Sequence, residues 1–220
     1  MNENLPRAYK LGYQDFYGFR FKVTKDVLIP RPETEFIIDA VLNLAGISYL
    51  SGVKASPRKL PSKPKILDVG TGSGCIAIAI KKKFPEAEVS AVDSSEKALQ
   101  IAKENASALS ADITFLKSDL LSNINFSPNI IVANLPYVDI EWDWVDKKAL
   151  SYEPAEALFA KNHGLELIFR LIDQAYIAKS TYLILEADPC EHQSILSYAA
   201  SKYQLLETRG FILNMRLIPH

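Results

Sequence analysis

Five short apolar runs rich in β-branched residues, at 66–69, 89–92, 113–116, 130–133 and 182–185, recur along the chain, and helical patterns separate most of them. Apolar runs of this length without polar alternation are strands buried on both faces, and strands alternating with helices build a parallel sheet covered on both sides. The helical patterns fall at 76–83, 96–108, 165–178 and 191–201. Two closing runs, 203–208 and 211–218, flank Gly210 and read as an antiparallel strand pair. Upstream, DFYGFRFKV over 15–23 sets Gly18 between aromatic runs, the pattern of a small hairpin. Over 33–47, Phe36, Ile37, Ala40, Val41 and Leu44 recur at helical spacing behind an Arg31-Pro32 start. The stretch 51–64, SGVKASPRKLPSKP, has no periodicity and reads as a mobile surface loop. The expected organisation is therefore a hairpin and helix over 1–50, a flexible loop over 51–64, and one α/β domain over 65–220.

Charge narrows the function. The 25 basic and 26 acidic side chains nearly cancel, so no large positive field draws the chain to nucleic acid. Cys75 and Cys190 stand far apart and form neither a disulfide framework nor a zinc-ligand spacing, which suits a reducing cytoplasm. No apolar run reaches the length of a membrane span. His163 and His192 lack partners at metal-ligand spacing and read as solvated, so no metal is expected. The simplest reading of Lys81-Lys82-Lys83 is the basic end of a helix.

The first strand, Ile66-Leu67-Asp68-Val69, runs into Gly70-Thr71-Gly72-Ser73-Gly74, a turn that opens a helix and brings backbone close to a ligand. The next strand ends in Asp93, 23 positions after Gly70, where a carboxylate accepts from two ribose hydroxyls. The turn lacks the Gly-Lys-Ser/Thr ending of a phosphate-transfer loop, which favours a nucleoside ligand without phosphates. At the third strand's exit, Asp119 is placed to accept from an adenine amino group while Leu120 covers the ring. The bland alternatives are tight packing at the glycines, a helix-capping Asp93 and an ordinary strand-end Asp119.

The fourth strand runs directly into Asn134-Leu135-Pro136-Tyr137, which a parallel sheet places beside the glycine turn at the carboxyl edge. A planar amide or exocyclic amino nitrogen is a poor nucleophile because its lone pair is delocalised. Asn134 Oδ1 and a carbonyl near Leu135 or Pro136 can accept from both N–H groups while Tyr137 stacks on the plane. The nitrogen is then held in line with the methyl group of a cationic sulfonium. The alternative is an ordinary turn after a buried strand.

With these pieces in view, the sequence resembles the HemK/PrmC family of protein-(glutamine-N5) methyltransferases. The resemblance rests on Val27-Leu28-Ile29-Pro30-Arg31-Pro32-Glu33-Thr34-Glu35, the glycine turn with Cys75-Ile76-Ala77, Ala91-Val92-Asp93 and the Asn134–Tyr137 loop. Tyr152-Glu153-Pro154, Ala157-Leu158-Phe159 and Gly164-Leu165 extend it, over about 17–186 in all. It implies a Rossmann-like, seven-stranded class I methyltransferase fold, S-adenosylmethionine as cofactor, and a class I peptide release factor as substrate, modified on the glutamine of its Gly-Gly-Gln tip. It also implies cofactor contacts at Gly70, Thr71, Gly72, Ser73, Gly74, Asp93, Leu120 and Asn134, to which the reading of the third strand's exit adds Asp119. Glutamine contacts are implied at Asn134, Leu135, Pro136 and Tyr137, with Asn134, Pro136 and Tyr137 in the chemistry. A cytoplasmic monomer is expected.

Three features depart from the family pattern. Leu135 stands where the family's loop usually has a first proline, giving a loop that also resembles that of ribosomal-RNA adenine dimethyltransferases. Fewer than thirty residues precede Val27, where bacterial members carry a helical recognition domain. Glu186-Ala187-Asp188-Pro189-Cys190 replaces a glycine-containing segment. Alternatives kept open are an adenine amino-methyltransferase acting on RNA or DNA, a non-catalytic cofactor-binding module and, more weakly, a nicotinamide-dependent oxidoreductase. The acidic, aromatic stretch 139–144 reads either as a lid or as a connection anchored in the core by Trp142 and Trp144. Glu153 is read as shaping the wall of the site.

Overall fold

A computed structural model describes residues 5–47 and 60–219. A short helix, α1 (Arg7–Leu11), leads into the hairpin β1 (Tyr13–Phe16) and β2 (Phe19–Lys22). The hairpin turns at Tyr17-Gly18, both at positive φ, as a tight turn joining right-twisted strands requires. After a 3-10 turn over Pro32–Thr34 comes α2 (Glu35–Leu44). The helix expected over 33–47 thus starts as a tighter turn, with Pro32 supplying the fixed φ and no wasted N–H. The loop expected over 51–64 falls outside the described residues at 51–59, and 60–64 carries no helix or strand.

The main sheet follows as β3 (Lys65–Val69), α3 (Cys75–Lys83), β4 (Glu88–Asp93), α4 (Glu96–Ala108), β5 (Thr114–Lys117) and β6 (Ile130–Ala133). It is completed by α5 (Lys147–Leu150), α6 (Glu166–Ile177), β7 (Tyr182–Glu186), α7 (His192–Ala199), β8 (Tyr203–Arg209) and β9 (Ile212–Leu217). Strand order is β5-β4-β3-β6-β7-β9-β8, with β9 antiparallel to both neighbours and the other pairs parallel. The chain steps outward from β3 to β5, then returns to build β6 and β7 on the other side, so the carboxyl ends of β3, β4 and β6 border a switch point where open α/β sheets bind ligands.

Alternation along each strand divides the core between two faces. Ile66, Ile130, Val132 and Ile184 join Ile37, Ile38, Ile78 and Ile80 on one side. Leu67, Ile131, Leu183 and Leu185 meet Ile168, Leu171 and Ile172 of α6 on the other. Most of these side chains are fully buried, each contributing about 1.5–3 kcal/mol of transfer free energy. A smaller cluster, Val23, Val27 and Ile29 against Ala98 and Ile101, seats the segment after the hairpin on α4.

One expectation shifts at the C-terminal side. The helix expected over 191–201 begins at His192, behind a 3-10 turn over Pro189–Glu191 in which Asp188 accepts from the Cys190 amide at 2.9 Å. This gives the unusual Asp188-Pro189 pair a structural role: one residue caps, the other starts the turn. α1, α5 and a 3-10 turn over Ala155–Ala157 lie in stretches too short for a periodic signal. Among the described residues no helix is long and apolar enough to cross a membrane.

Candidate active site

The glycine turn is tied down from beneath. Gly70 and Thr71 donate their amides to Val92 O, each at 2.9 Å, stitching the end of β3 to β4. Asp68, fully buried, accepts from Thr71 Oγ1 at 2.7 Å and from the Ala77 amide at 3.2 Å, joining the turn to the first turn of α3. Burial pushes the Asp68 carboxyl up to about 7 despite those two hydrogen bonds. The glycines differ in role. A Cβ on Gly70 would stand 2.9 Å from Leu135 Cδ2, and one on Gly74 would press on Ala102 of α4 at 3.1 Å, so crowding adds to the positive φ of +73 and +81 in favouring glycine at both. At Gly72 a Cβ would meet nothing within 4 Å, and the residue borders open cavity. Asn105, absent from the sequence reading, donates to Ser73 O at 2.8 Å and pairs with both backbone groups of Lys22, locking turn to hairpin.

Asp93 ends β4 with Oδ1 accepting from the Ser95 amide at 2.8 Å and Oδ2 from Gly72 at 2.9 Å. Burial raises its pKa, opposed by these backbone amides. It faces the same cavity as Gly70, Thr71, Gly72 and Ser73, with Asp119 and Leu120 on the adjoining wall. Leu120 is buried at φ +49. Asp119 is largely exposed and meets Arg170 Nη2 at 2.6 Å, a partner 51 residues away that no sequence pattern marks.

Asn134 and Glu186 each lie one step beyond the paired residues Ala133 and Leu185 of β6 and β7, so the sheet itself sets them side by side. Asn134 Nδ2 donates to Thr34 Oγ1 at 3.1 Å, and the Tyr137 hydroxyl donates to Glu186 Oε1 at 3.2 Å. Glu186 is 2 % exposed; burial pushes its carboxyl up to about 7, while the Thr34 and Tyr137 hydroxyls favour its charged form. Burial and the Glu186 charge together raise the Tyr137 pKa.

The Asn134–Pro136 stretch stands between two chambers. One holds the glycine turn, Asp93 and Leu120; the other holds Tyr137, Val138, Leu158 and Glu186. Leu28, Arg31, Asn134, Leu135, Pro136 and Ala157 line both. All residues expected at the site therefore converge, except that Gly74 faces α4 and Tyr137 lines only the second chamber.

A wall the sequence reading only partly foresaw comes from upstream: Asp26, Val27, Leu28, Pro30, Arg31 and Thr34 border the first chamber. Buried Glu153 fastens this strap, accepting from the Ile29 amide at 3.0 Å and pairing with Arg31. Its expected part in shaping the wall is thus exerted through the strap. Trp142 and Trp144 stack on each other at 5.1 Å, and Trp144 is 66 % exposed, so this pair does not anchor its loop in the core.

The histidines correct the sequence reading. His192 is buried at the first position of its helix, with Nε2 3.1 Å from Ala187 O at the exit of the preceding strand. His163 is exposed but lies 2.7 Å from Asp139, which raises its pKa. Ligand atoms of Asp139, Glu141 and His163 fall within 4.8 Å of one another, a proximity their sequence spacing concealed. Lys81 donates to the carbonyls of Pro85 and Ala87 and Lys82 to that of Leu109, consistent with a helix-end role.

Residues 53–159 match the sequence model of a family described as methyltransferase small domain. The chain is 45% identical over 174 residues to a release factor glutamine methyltransferase of Koribacter versatilis, covering 78% of this chain and 58% of that protein. With one from Flavobacterium psychrophilum it shares 40% identity over 177 residues, covering 79% and 59%. With the Lactococcus lactis subsp. lactis protein of the same name it shares 35% over 206 residues, covering 92% and 71%. The chain thus spans less than two thirds of the first two relatives. Among solved structures it resembles a ribosomal protein L11 methylase from Lactobacillus delbrueckii subsp. bulgaricus (TM-score 0.56, 24% identity, 84% of this chain and 78% of that one). It also resembles a T. thermophilus 16S rRNA N2 G1207 methyltransferase in complex with AdoMet and guanosine (TM-score 0.62, 14% identity, 93% and 49%). At these identities the structural likenesses show the fold, a Rossmann-like methyltransferase sheet.

Proposed function

The chain belongs to the release factor glutamine methyltransferase family, and from that premise we propose that it moves the methyl group of S-adenosylmethionine to the N5 amide nitrogen of a release-factor glutamine, in a Gly-Gly-Gln tip. The observation that carries this reading is the pair of chambers meeting at Asn134, one suited to a nucleoside and one to a planar side chain.

The first chamber's residues fit the cofactor. Gly72 leaves space, and the Asp93 carboxylate faces the cavity, where each oxygen that accepts from a backbone amide keeps a lone pair for a ribose hydroxyl. Leu120 offers an apolar cover for an adenine, with Asp119 at its rim. When bound, S-adenosylmethionine supplies an electrophilic methyl group on a cationic sulfonium. Asn134 Oδ1 accepts from one N–H of the substrate amide and a carbonyl of Leu135 or Pro136 from the other, localising the nitrogen lone pair for attack. Tyr137 stacks on the amide plane, and Pro136 keeps the carbonyl aimed. The proton leaves after attack, so no strong base acts beforehand. On this reading 65–220 is the catalytic domain, with residues 26–34 serving as its wall, and the protein works in a reducing cytoplasm. The adenine alternative gains nothing from Lys81 and Lys82, whose ammonium groups are committed to backbone carbonyls.

The test is transfer of labelled methyl from S-adenosylmethionine to a purified release factor, with a Gln→Ala tip and an Asn134→Ala enzyme as controls. Label that enters the wild-type factor and is lost with either change supports the reading. Cofactor binding with no label in any release factor overturns it.

A further inference from the structure

An asparagine presents its oxygen to a substrate only when its NH2 group is engaged elsewhere, because the two ends of the amide are nearly equal in shape and opposite in hydrogen-bonding sense. In this chain the NH2 of Asn134 is engaged by Thr34, 100 residues upstream, at 3.1 Å. Thr34 closes the 3-10 turn that Pro32 begins, is 1 % exposed, and borders the cavity on the side facing Asn134. The sheet sets Glu186 beside Asn134, and the side chains of both Thr34 and Asn134 favour its charged form; a carboxylate only accepts, so it keeps the NH2 end of Asn134 on its side. Glu186 in turn receives the Tyr137 hydroxyl.

We propose that Thr34 is a positioning residue that locks the Asn134 amide with Oδ1 toward the junction of the two chambers, and that Glu186 anchors both this lock and Tyr137. The proposal rests on the reading of Asn134 as the acceptor for the substrate nitrogen. With the amide reversed, Nδ2 would oppose the N–H groups of the incoming amide, donor against donor. The same lock makes the site select an amide over a carboxylate, since a carboxylate offers Oδ1 only acceptors. The selecting residue thus comes from the N-terminal segment, outside the glycine turn and the Asn134 loop.

Thr34→Val keeps the shape and removes the oxygen; Thr34→Ser restores it. The first readout is solvent exchange of the Asn134 side-chain NH2 in full-length protein labelled with 15N-asparagine, its signals identified by their absence from Asn134→Asp. The second is kcat for methyl transfer beside the affinity for S-adenosylmethionine. Thr34→Val is expected to speed the exchange and lower kcat by about tenfold each, with cofactor affinity held within about twofold, and Thr34→Ser to recover both to within about threefold. Wild-type exchange in Thr34→Val, or a folded Thr34→Ser as impaired as Thr34→Val, overturns the proposal. Should Thr34→Val not fold, Thr34→Ala takes its place under the same criteria. If the wild-type enzyme methylates no release factor, the proposed function fails while the exchange readout still decides the role of Thr34.

Discussion

Replacing Gly164 with alanine would set a methyl group against the backbone that follows the Asn134 loop. The new Cβ would lie 2.1 Å from the carbonyl oxygen of Tyr137, 2.8 Å from its carbon and 2.6 Å from Glu191 Oε1. A carboxylate can swing away, but a backbone carbonyl moves only with its loop. Gly164 also sits at φ +87, closing a run with Asn162 and His163 at +54 and +52. The left-handed conformation costs an alanine roughly 1–2 kcal/mol, and forced overlap in a packed region adds about 1–3 kcal/mol. The total is about 2–5 kcal/mol. Gly12→Ala is the control: φ is +77, but nothing lies within 4 Å of the added carbon, so only the conformational share applies. Urea denaturation of both variants should separate them by about 1–3 kcal/mol, or roughly 2–12 °C in Tm for a chain of this size. Methyl transfer, assayed where both remain folded, should fall in Gly164→Ala alone, because Tyr137 is what the methyl displaces. Equal destabilisation of the two variants would refute the argument from contact.

Arg31→Met strands the Glu153 carboxylate, whose side chain is 4 % exposed, and should cost about 2–4 kcal/mol in urea denaturation; adding Glu153→Gln should recover part of the loss. Asp68 and Glu186 both have carboxyls pushed up to about 7 from ordinary values of 3.8 and 4.5, so the folded state holds their protons more tightly than the unfolded chain. Their contribution to stability is fully present only below the unfolded values of 3.8 and 4.5 and is lost as pH rises through 7, up to about 4 kcal/mol for Asp68 and about 3 kcal/mol for Glu186. Unfolding free energies at pH 5 and pH 8 should show that decline, and Asp68→Asn should remove about half of it, leaving the share of Glu186. Leu135→Ala removes a 5 % exposed side chain from beside Gly70, and should lower stability by about 2–4 kcal/mol and cofactor affinity with it, read by urea denaturation and calorimetry.

The sheet was legible because its strands are buried on both faces, and such strands write themselves as unbroken apolar runs: 130–133 is a strand with the boundaries expected. The adjacency of the Asn134 loop and the glycine turn followed from the parallel-sheet rule, and Leu135 does lie against Gly70. The residues that brace the site were harder to read. Thr34, Asn105, Glu153 and Glu186 act through partners 32 to 124 residues away, and a hydrogen bond across such a span leaves no period in the sequence. Sequence position showed that Glu153 matters without showing that it grips the strap. His192 was misplaced for a related reason: a polar residue on an amphipathic helix is read as outward, and only the approach of its ring to the Ala187 carbonyl, across the Pro189–Glu191 turn, shows that it points inward.

The strap also fixes when, during synthesis, the pocket can exist. Its walls are drawn from residue 26 at one end to Glu186 at the other, with Asn134 and Glu153 between. On the ribosome the hairpin and α2 emerge long before the strands they brace, and the upstream wall has nothing to close against until β6 and β7 have followed. A chain stalled before β7 holds the whole glycine turn without the Glu186 that secures its neighbour, and each contact made afterwards must close a loop of many tens of residues. The second chamber is therefore complete only late, when the last parallel strand docks and brings in Glu186.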